Sequence, residues 1–254
     1  MTLKFSIITV AYNSEKTIAK TIESVLNQEM NPQRSFQIEY LIIDGCSLDE
    51  TVSVAESYRT KMEEKGIKYR IISEPDEGIF DAMNKGIRLA AGDIIGIINS
   101  DDWYESCALK TVAETFERTN CELMFANIRL HRADGSCMIK KARLRRFQTS
   151  RDWNHPTMFV KASIYKRYPF QQKCVHDDYS CYLQMRRAGV SIVTVDRVLA
   201  NFRMGGASNR ADLKMALQRI RDRYLFCYRS NGYSRLYLLE CIFIEAVKMI
   251  WSKF

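Results

Sequence analysis

The first 104 residues alternate between short runs of branched apolar residues and longer amphipathic stretches, and nothing else in the sequence limits the fold as much. "KFSIITV" (4–10), "IEYLIID" (38–44), "KYRIIS" (68–73) and "DIIGIIN" (93–99) read as strands from their β-branched content. Between them, "SEKTIAKTIESVLNQ" (14–28) puts Ile18, Ile22, Val25 and Leu26 on one helical stripe. "SLDETVSVAESYRTKMEEKG" (47–66) opens with the capping box Ser47 and Glu50 and stops at Gly66. A further helix is expected over roughly 79–91, closed by Gly92. Strands with almost no polar face must be covered on both sides. Their alternation with helices predicts a mostly parallel, Rossmann-like α/β sheet.

The pattern changes after residue 105. A helix (105–119) leads to the strand "ELMFANI", and Asp134-Gly135 reads as a hairpin turn. A helix over Asp178 to Ala188 stops at Gly189, "VSIVTV" (190–195) adds a strand, and "MGGASN" is a loop. The last 44 residues read as helical. With no repeat and no Pro/Gly/Ser linker, one domain over 1–206 is expected, with a helical C-terminal extension over 207–254.

The opening "MTLKFSIITVAYN" goes straight into a strand, so a secretory leader is not expected. The eight cysteines include no C-x-x-C pair, which favours neither a zinc site nor a disulfide framework and suits a reducing cytoplasm. The net charge of +8 is uneven: "KKARLRRFQTSR" (140–151) holds six Lys or Arg and no acid. Such a run meets anionic lipid, phosphorylated substrates or nucleic acid, or is simply a solvated face. Phe147 is its only aromatic residue, so stacking on nucleic-acid bases is not expected.

Ligands of an open parallel sheet bind beyond the carboxyl ends of the strands. The unusual polar residues fall there: Thr9, Tyr12 and Asn13 after the first strand, Asp44 after the second, Glu74, Asp76 and Glu77 after the third, Asp101 and Asp102 after the fourth. Adjacent carboxylates at the edge of a core repel unless a cation offsets them. Oxygen ligands select Mg²⁺ or Mn²⁺, and such ions bridge to phosphates, so a diphosphate substrate is expected. The plainer alternative makes Asp101 the cap of a helix starting near Glu105, which accounts for one acid and not for two. Neither G-x-G-x-x-G nor G-x-x-x-x-G-K-[ST] occurs, which disfavours a dinucleotide dehydrogenase or a P-loop enzyme.

"SIITVAYNSEKTIAKTIESVLNQ", "YLIIDGCSLDET", "DEGIFDAMNKGIRLAAGD" and "INSDDWY" together resemble the successive motifs of the family 2 glycosyltransferases, in order and in spacing, over roughly residues 4–206. The resemblance implies a GT-A fold and an inverting transfer of one sugar from a nucleotide-diphosphate sugar, with Mn²⁺ or Mg²⁺. It assigns nucleotide-sugar contacts to Thr9, Tyr12, Asn13 and Asp44. "SDD" becomes the DxD-like element, with Ser100 and Asp101 on the nucleotide sugar, Asp101 near the ribose, and Asp102 on the metal, while Asp81 and Asn84 lie close to the nucleotide. Residues 1–104 would form the nucleotide-sugar half and 105–206 the acceptor half.

In the second half the family carries an acid pair at the head of a helix, usually Glu-Asp. Here "HDDYSCYLQM" has Asp177 and Asp178, and the resemblance makes one of them the base, Asp178 first; an acid-rich helix start is the ordinary alternative. His155 in "WNHPTMF" matches a family histidine that contacts diphosphate or acceptor, against a purely structural role. Processive relatives carry Q-x-x-R-W and membrane spans, but "LQRIRDRY" has Asp222 in place of the Trp. A uridine-linked donor, a lipid-linked or oligosaccharide acceptor and a role in bacterial surface polysaccharide are implied. A sugar-phosphate nucleotidyltransferase would want a Gly-rich basic loop after the first strand, which "AYNSEKT" is not. A non-catalytic nucleotide-sugar-binding scaffold would not need Asp101, Asp102 and Asp178. On the tail, Leu236, Leu239, Phe243, Val247 and Ile250 form one stripe, with Arg219, Arg221, Arg223 and Arg229 upstream. That face suits either the anionic inner surface of the cell membrane, or packing on the domain or on a second copy in a homodimer.

Overall fold

The computed structural model describes residues 2–29, 36–204 and 213–251. The first half holds β1 (Lys4–Ala11), α1 (Ile18–Leu26), β2 (Gln37–Asp44), α2 (Thr51–Glu56), α3 (Arg59–Glu64), β3 (Lys68–Ser73), α4 (Ile79–Leu89) and β4 (Ile94–Asn99). The second holds β5 (Trp103–Tyr104), α5 (Ala108–Thr119), β6 (Leu123–His131), β7 (Cys137–Lys140), β8 (Phe159–Lys161), α6 (Ala162–Arg167), α7 (Asp177–Arg187) and β9 (Ile192–Arg203). Then come α8 (Leu213–Asp222), a π-helical turn over Arg223–Arg229, and α9 (Tyr237–Trp251).

All the strands join one sheet in the order β3-β2-β1-β4-β8-β6-β9-β5, with β7 added on β6. The pairings among β1 to β4 are parallel. Beyond β4 the sheet is mixed: β8 runs antiparallel to β4 and β6, while β9 runs parallel to β6. Side chains alternate strictly between two cores, as a period of two requires. Ile7, Tyr40 and Ile42 pack with Ile22, Val25, Met62 and Val112 on one face. Ile8, Leu41, Ile43, Ile95 and Ile97 pack with Met83, Ile87, Tyr182 and Leu183 on the other. β1, β2 and β4 read as nearly all-apolar because neither face meets water, whereas β3, at the sheet edge, is half-exposed.

Several local expectations change. Ser47 is not a helix cap: α2 starts after Glu50 without a side-chain cap, and the Ser47 hydroxyl binds Asp44 instead. The helix expected over 47–66 breaks into α2 and α3 around Ser57 and Tyr58. β9 continues eight residues past Val195, to Arg203, because β6 and then β5 supply pairing partners along its length. The hairpin at Asp134-Gly135 joins β6 to β7, with Gly135 at φ 82° as its turn demands. The "GGASN" part of the expected loop, and the 206/207 boundary, lie outside the described residues.

The C-terminal helices belong partly to the core. Cys227, Tyr228, Tyr237 and Cys241 join the second core, and the rings of Tyr228 and Tyr237 stack at 4.2 Å. Two of the arginines expected at a membrane surface point inward instead: Arg219 and Arg223 reach the buried Glu245 carboxylate at 2.9 and 3.2 Å. Burying Glu245 requires a cationic partner, and these two are one turn apart on the same side. Among the described residues no helix is long and apolar enough to cross a membrane.

α4 lies tight on β1 because Gly86 has no side chain. A Cβ there would stand 2.5 Å from Ile8 Cγ2. Gly86→Ala should therefore lower stability by about 1–3 kcal/mol, read as an earlier urea midpoint at unchanged slope. An unshifted midpoint would mean that Ile8 yields freely.

Candidate active site

The loop after β4 is gripped by α1. Thr21 Oγ1 donates to the Asp102 carbonyl at 2.6 Å, and the Tyr104 N–H donates to Ser24 Oγ at 3.1 Å. Gln28 bonds in both directions, Nε2 to the Glu105 carbonyl at 2.9 Å and Oε1 from the Leu109 N–H at 2.8 Å. These three residues lie at i, i+3 and i+7, one face of the helix and its C-terminal turn. In the sequence they look like ordinary small polar residues; their common spacing is the signal that could have singled them out.

This grip holds Asp102 where its charge is costly. The residue has no solvent exposure. One carboxylate oxygen accepts the Arg203 N–H at 3.1 Å, and the other, Oδ2, has no hydrogen-bond partner. Burial, and then the neighbouring Asp101, push the Asp102 carboxyl well above the usual carboxylate range. Burial raises Asp101 as well, and Arg203 opposes both shifts. Trp103 carries the Lys20 ammonium 3.3 Å from its ring centre, with Arg203 at 6.0 Å. Lys20, Trp103 and Arg203 were not singled out from the sequence.

An unpartnered buried carboxylate oxygen next to a second carboxylate fits a hard divalent cation. Among the described residues no three His, Cys, Asp or Glu side chains gather as a complete cage. The chain thus offers Asp102, with Asp101 beside it, and the remaining ligands of a Mg²⁺ or Mn²⁺ ion would be water and substrate phosphate.

The other strand ends are tied to this loop. Ser14 Oγ and Ser100 Oγ share a hydrogen bond of 2.7 Å, and the Ser14 N–H donates to Thr51 Oγ1 at 2.6 Å. Asn13, at φ 48°, joins the loops after β1 and β2: its side-chain oxygen accepts the Leu48 N–H at 2.9 Å, and its N–H donates to Ser47 Oγ at 2.8 Å. Asp44 is fully buried and accepts from the Ser47 hydroxyl, the Ser47 N–H at 3.0 Å and the Ser73 hydroxyl at 2.7 Å. Tyr12 stands exposed at the rim. Thr9 does not reach it: Thr9 is fully buried, and its hydroxyl meets the Tyr40 hydroxyl at 3.0 Å inside the core.

Asp81 accepts the Glu77 N–H at 3.3 Å and lies 3.5 Å from Lys85, which also pairs with Glu74 at 3.3 Å. Asn84 is buried, and both ends of its amide bind Phe170, giving to the carbonyl at 2.9 Å and accepting from the N–H at 3.0 Å.

The paired aspartates heading α7 differ sharply. Asp177 is buried and holds the preceding loop by accepting the Gln171 and Gln172 N–H groups, the latter at 2.9 Å. Asp178 accepts the Tyr179 N–H at 2.7 Å through Oδ1, while Oδ2 lies 3.9 Å from His155 Nδ1, too far for a hydrogen bond. Burial raises the Asp178 pKa to about 6; the Tyr179 N–H and the Lys140 charge lower it, and Asp177 adds to the rise. Burial drops His155 to about 4, so the ring is neutral at pH 7, and neither ring nitrogen has a hydrogen-bond partner. His155 and Asp178 therefore form no ion pair at neutral pH. A separate depression lined by Leu3, Gly92, Phe116 and Lys161 lies at the opposite end of β4, away from every carboxylate just described.

Known proteins share this arrangement of elements. TarS of Staphylococcus aureus, named a poly(ribitol-phosphate) beta-N-acetylglucosaminyltransferase, is 27% identical over 127 residues, 50% of this chain and 21% of that protein. EpsH of Bacillus subtilis, a putative glycosyltransferase, is 35% identical over 100 residues, 39% of this chain and 26% of its own length. The match thus spans about a quarter or less of these curated relatives. The crystal structure of S. aureus TarS 1–349 in complex with UDP matches with a TM-score of 0.63 at 20% identity, covering 91% of this chain and 74% of that one. The mannosyltransferase PcManGT from Pyrobaculum calidifontis, in complex with GDP-Man and Mn²⁺, matches with 0.67 at 14% identity, covering 100% and 76%. At such identities the likeness is one of fold, the GT-A fold. Residues 6–188 match the family model for glycosyl transferase family 2, and the chain belongs to that family.

Proposed function

We propose that the chain transfers one sugar from a nucleotide-diphosphate sugar to an acceptor hydroxyl, with inversion at the anomeric carbon. The observation that carries this reading is the buried Asp102 carboxylate, held by α1 with one oxygen unpartnered at the mouth of a parallel sheet. A UDP-linked donor, hexose or N-acetylhexosamine, is favoured by the UDP and UDP-GlcNAc complexes of TarS. A divalent metal is favoured by the Mn²⁺ in the PcManGT complex. Bound at Asp102, Mn²⁺ or Mg²⁺ would neutralise the diphosphate charge that develops at the leaving group.

On this reading Tyr12 and Asp44 serve the nucleobase, Asn13 holds the loops after β1 and β2 together beside them, and Thr9, whose hydroxyl meets Tyr40 in the core, makes no direct contact. Asp101 takes the ribose, Ser100 fixes the loop through Ser14, and Asp81 and Asn84 shape the floor through Lys85 and Phe170. Residues 1–104 then serve the donor, 105–206 the acceptor, and 207–254 form the extension. Asp178 is the base: ionised at neutral pH, it takes the proton from the acceptor hydroxyl. That oxygen attacks the anomeric carbon from the face opposite the nucleotide. The bond to the diphosphate breaks with its electron pair, and the configuration inverts. Asp177 has its carboxylate committed to the Gln171–Gln172 loop and serves as a positioning residue. His155, neutral and unpartnered beside Asp178, offers a hydrogen bond to acceptor or diphosphate. The acceptor on this reading is lipid-linked or an oligosaccharide, met at the inner face of the cell membrane during surface-polysaccharide synthesis; TarS is named for a polymeric acceptor, poly(ribitol-phosphate).

Three outcomes test the reading. Asp102→Asn removes the metal ligand and should abolish the Mn²⁺-dependent part of UDP affinity in calorimetry; equal affinity in mutant and parent excludes the metal role. Asp178→Asn should cut transfer by about 10²–10⁴-fold while leaving UDP affinity intact. The wild-type rate should fall as pH drops through about 6, because protonation of Asp178 removes the base. A residual rate in Asp178→Asn with the same acid limb would move the base elsewhere.

A further inference from the structure

We propose that residues 143–151 and α9 together form a face that docks on an anionic lipid bilayer. Its purpose rests on the reading of the chain as a transferase for a lipid-linked acceptor; its composition does not. The two segments are far apart in sequence and adjacent in the fold. The Arg151 guanidinium carbon lies 5.8 Å from the centre of the Phe243 ring, and the Tyr237 hydroxyl lies against the Gln148 backbone.

α9 is two-faced. Tyr237, Cys241, Ile244 and Glu245 turn into the core, while Leu236, Leu239 and Phe243 stand 72%, 66% and 60% exposed. Phe147, on the neighbouring segment, is 71% exposed, with Leu144 beside it at 47%. Five large apolar side chains thus face solvent where a folded surface usually presents few.

The charges around them share one sign. Residues 140–151 contain six Lys or Arg and no acid. Arg143, Arg146 and Arg151 are exposed, and Arg146 lies 5.9 Å from the Phe147 ring centre. The acids close by point inward: Asp152 is buried and pairs with Arg145 at 3.4 Å, and Glu240 accepts from the Tyr228 hydroxyl at 3.1 Å. A second copy docked across a two-fold axis would set these arginines against each other. A bilayer surface with anionic headgroups satisfies both parts at once, guanidinium on phosphate and leucine or phenylalanine at the acyl boundary.

The face also adjoins the base. Lys140, which starts the basic run, donates to the Ser150 and Trp153 carbonyls at 3.2 and 2.7 Å, and its charge acts on Asp178. An acceptor anchored in the bilayer would therefore present its hydroxyl on the Asp178 side, without leaving the membrane.

Flotation of the full chain with vesicles tests this. Phosphatidylglycerol–phosphatidylcholine vesicles should carry the protein up the gradient, and high salt should release most of it; phosphatidylcholine vesicles alone should not. Phe147→Ser combined with Phe243→Ser should weaken the anionic partition at least tenfold. Arg146→Gln with Arg151→Gln should weaken it by a similar factor and flatten the salt dependence. Thermal midpoints and Mn²⁺-dependent UDP affinity should stay unchanged in both double variants, so that loss of flotation is not loss of fold. Equal flotation on neutral vesicles, or none with intact UDP binding, overturns the docking face and leaves the proposed chemistry standing. A dimer in sedimentation that Phe147→Ser dissolves would give the face to a second copy and overturn the proposal equally.

Discussion

The site depends on how a carboxylate is kept buried without a full set of partners. Left to itself, the loop after β4 would let Asp102 swing into water, where its charge is most stable. Thr21, Ser24 and Gln28 prevent that by bonding the loop's backbone, not the acid itself. Four hydrogen bonds at about 1 kcal/mol each are of the right size to offset a partly compensated buried charge. The acid is thereby held rigid with one oxygen unoccupied, a poor arrangement for stability and a good one for binding a cation.

The fold was legible in the sequence wherever burial wrote a pattern. β1, β2 and β4 carry nearly continuous apolar runs because each is covered on both faces, β3 is the half-exposed edge, and the expected ends of all four agree with the observed ones to within one residue. β5 and β8, two and three residues long, are too short for any periodicity and owe their conformation to β9, β4 and β6. The capping box at Ser47 failed for a different reason. Local propensity offered a helix cap, but Asp44 and Asn13 supplied competing tertiary partners for the same hydroxyl and won.

The candidate site was legible as positions and not as roles. A sequence can show that Asp177 and Asp178 head a helix, but not which carboxylate the preceding loop consumes. The Gln171 and Gln172 N–H groups make that distinction, leaving Asp178 with one oxygen turned toward a neutral His155. Thr9 shows the converse, since a residue at a strand end in the sequence can still point its hydroxyl into the core. The tail mixes both lessons. Its apolar stripe was visible, whereas the arginines expected to accompany it are divided, with Arg219 and Arg223 drawn inward by Glu245. The exposed positive charge beside Phe243 comes from a segment about a hundred residues upstream.

The Asn84 amide has a consequence of its own. It bridges α4 to the backbone of Phe170, one residue before the loop that Asp177 anchors at the head of α7. An amide is the smallest side chain that gives and takes one hydrogen bond along the same edge of a peptide, and an aspartate would set oxygen against the Phe170 carbonyl. Through this tie the helix bearing Asp178 is registered against α4 by a contact a few ångströms long, although more than ninety residues of chain lie between Asn84 and Asp178. The position of the Asp178 carboxylate relative to β1–β4 is then tied to a side chain that touches neither.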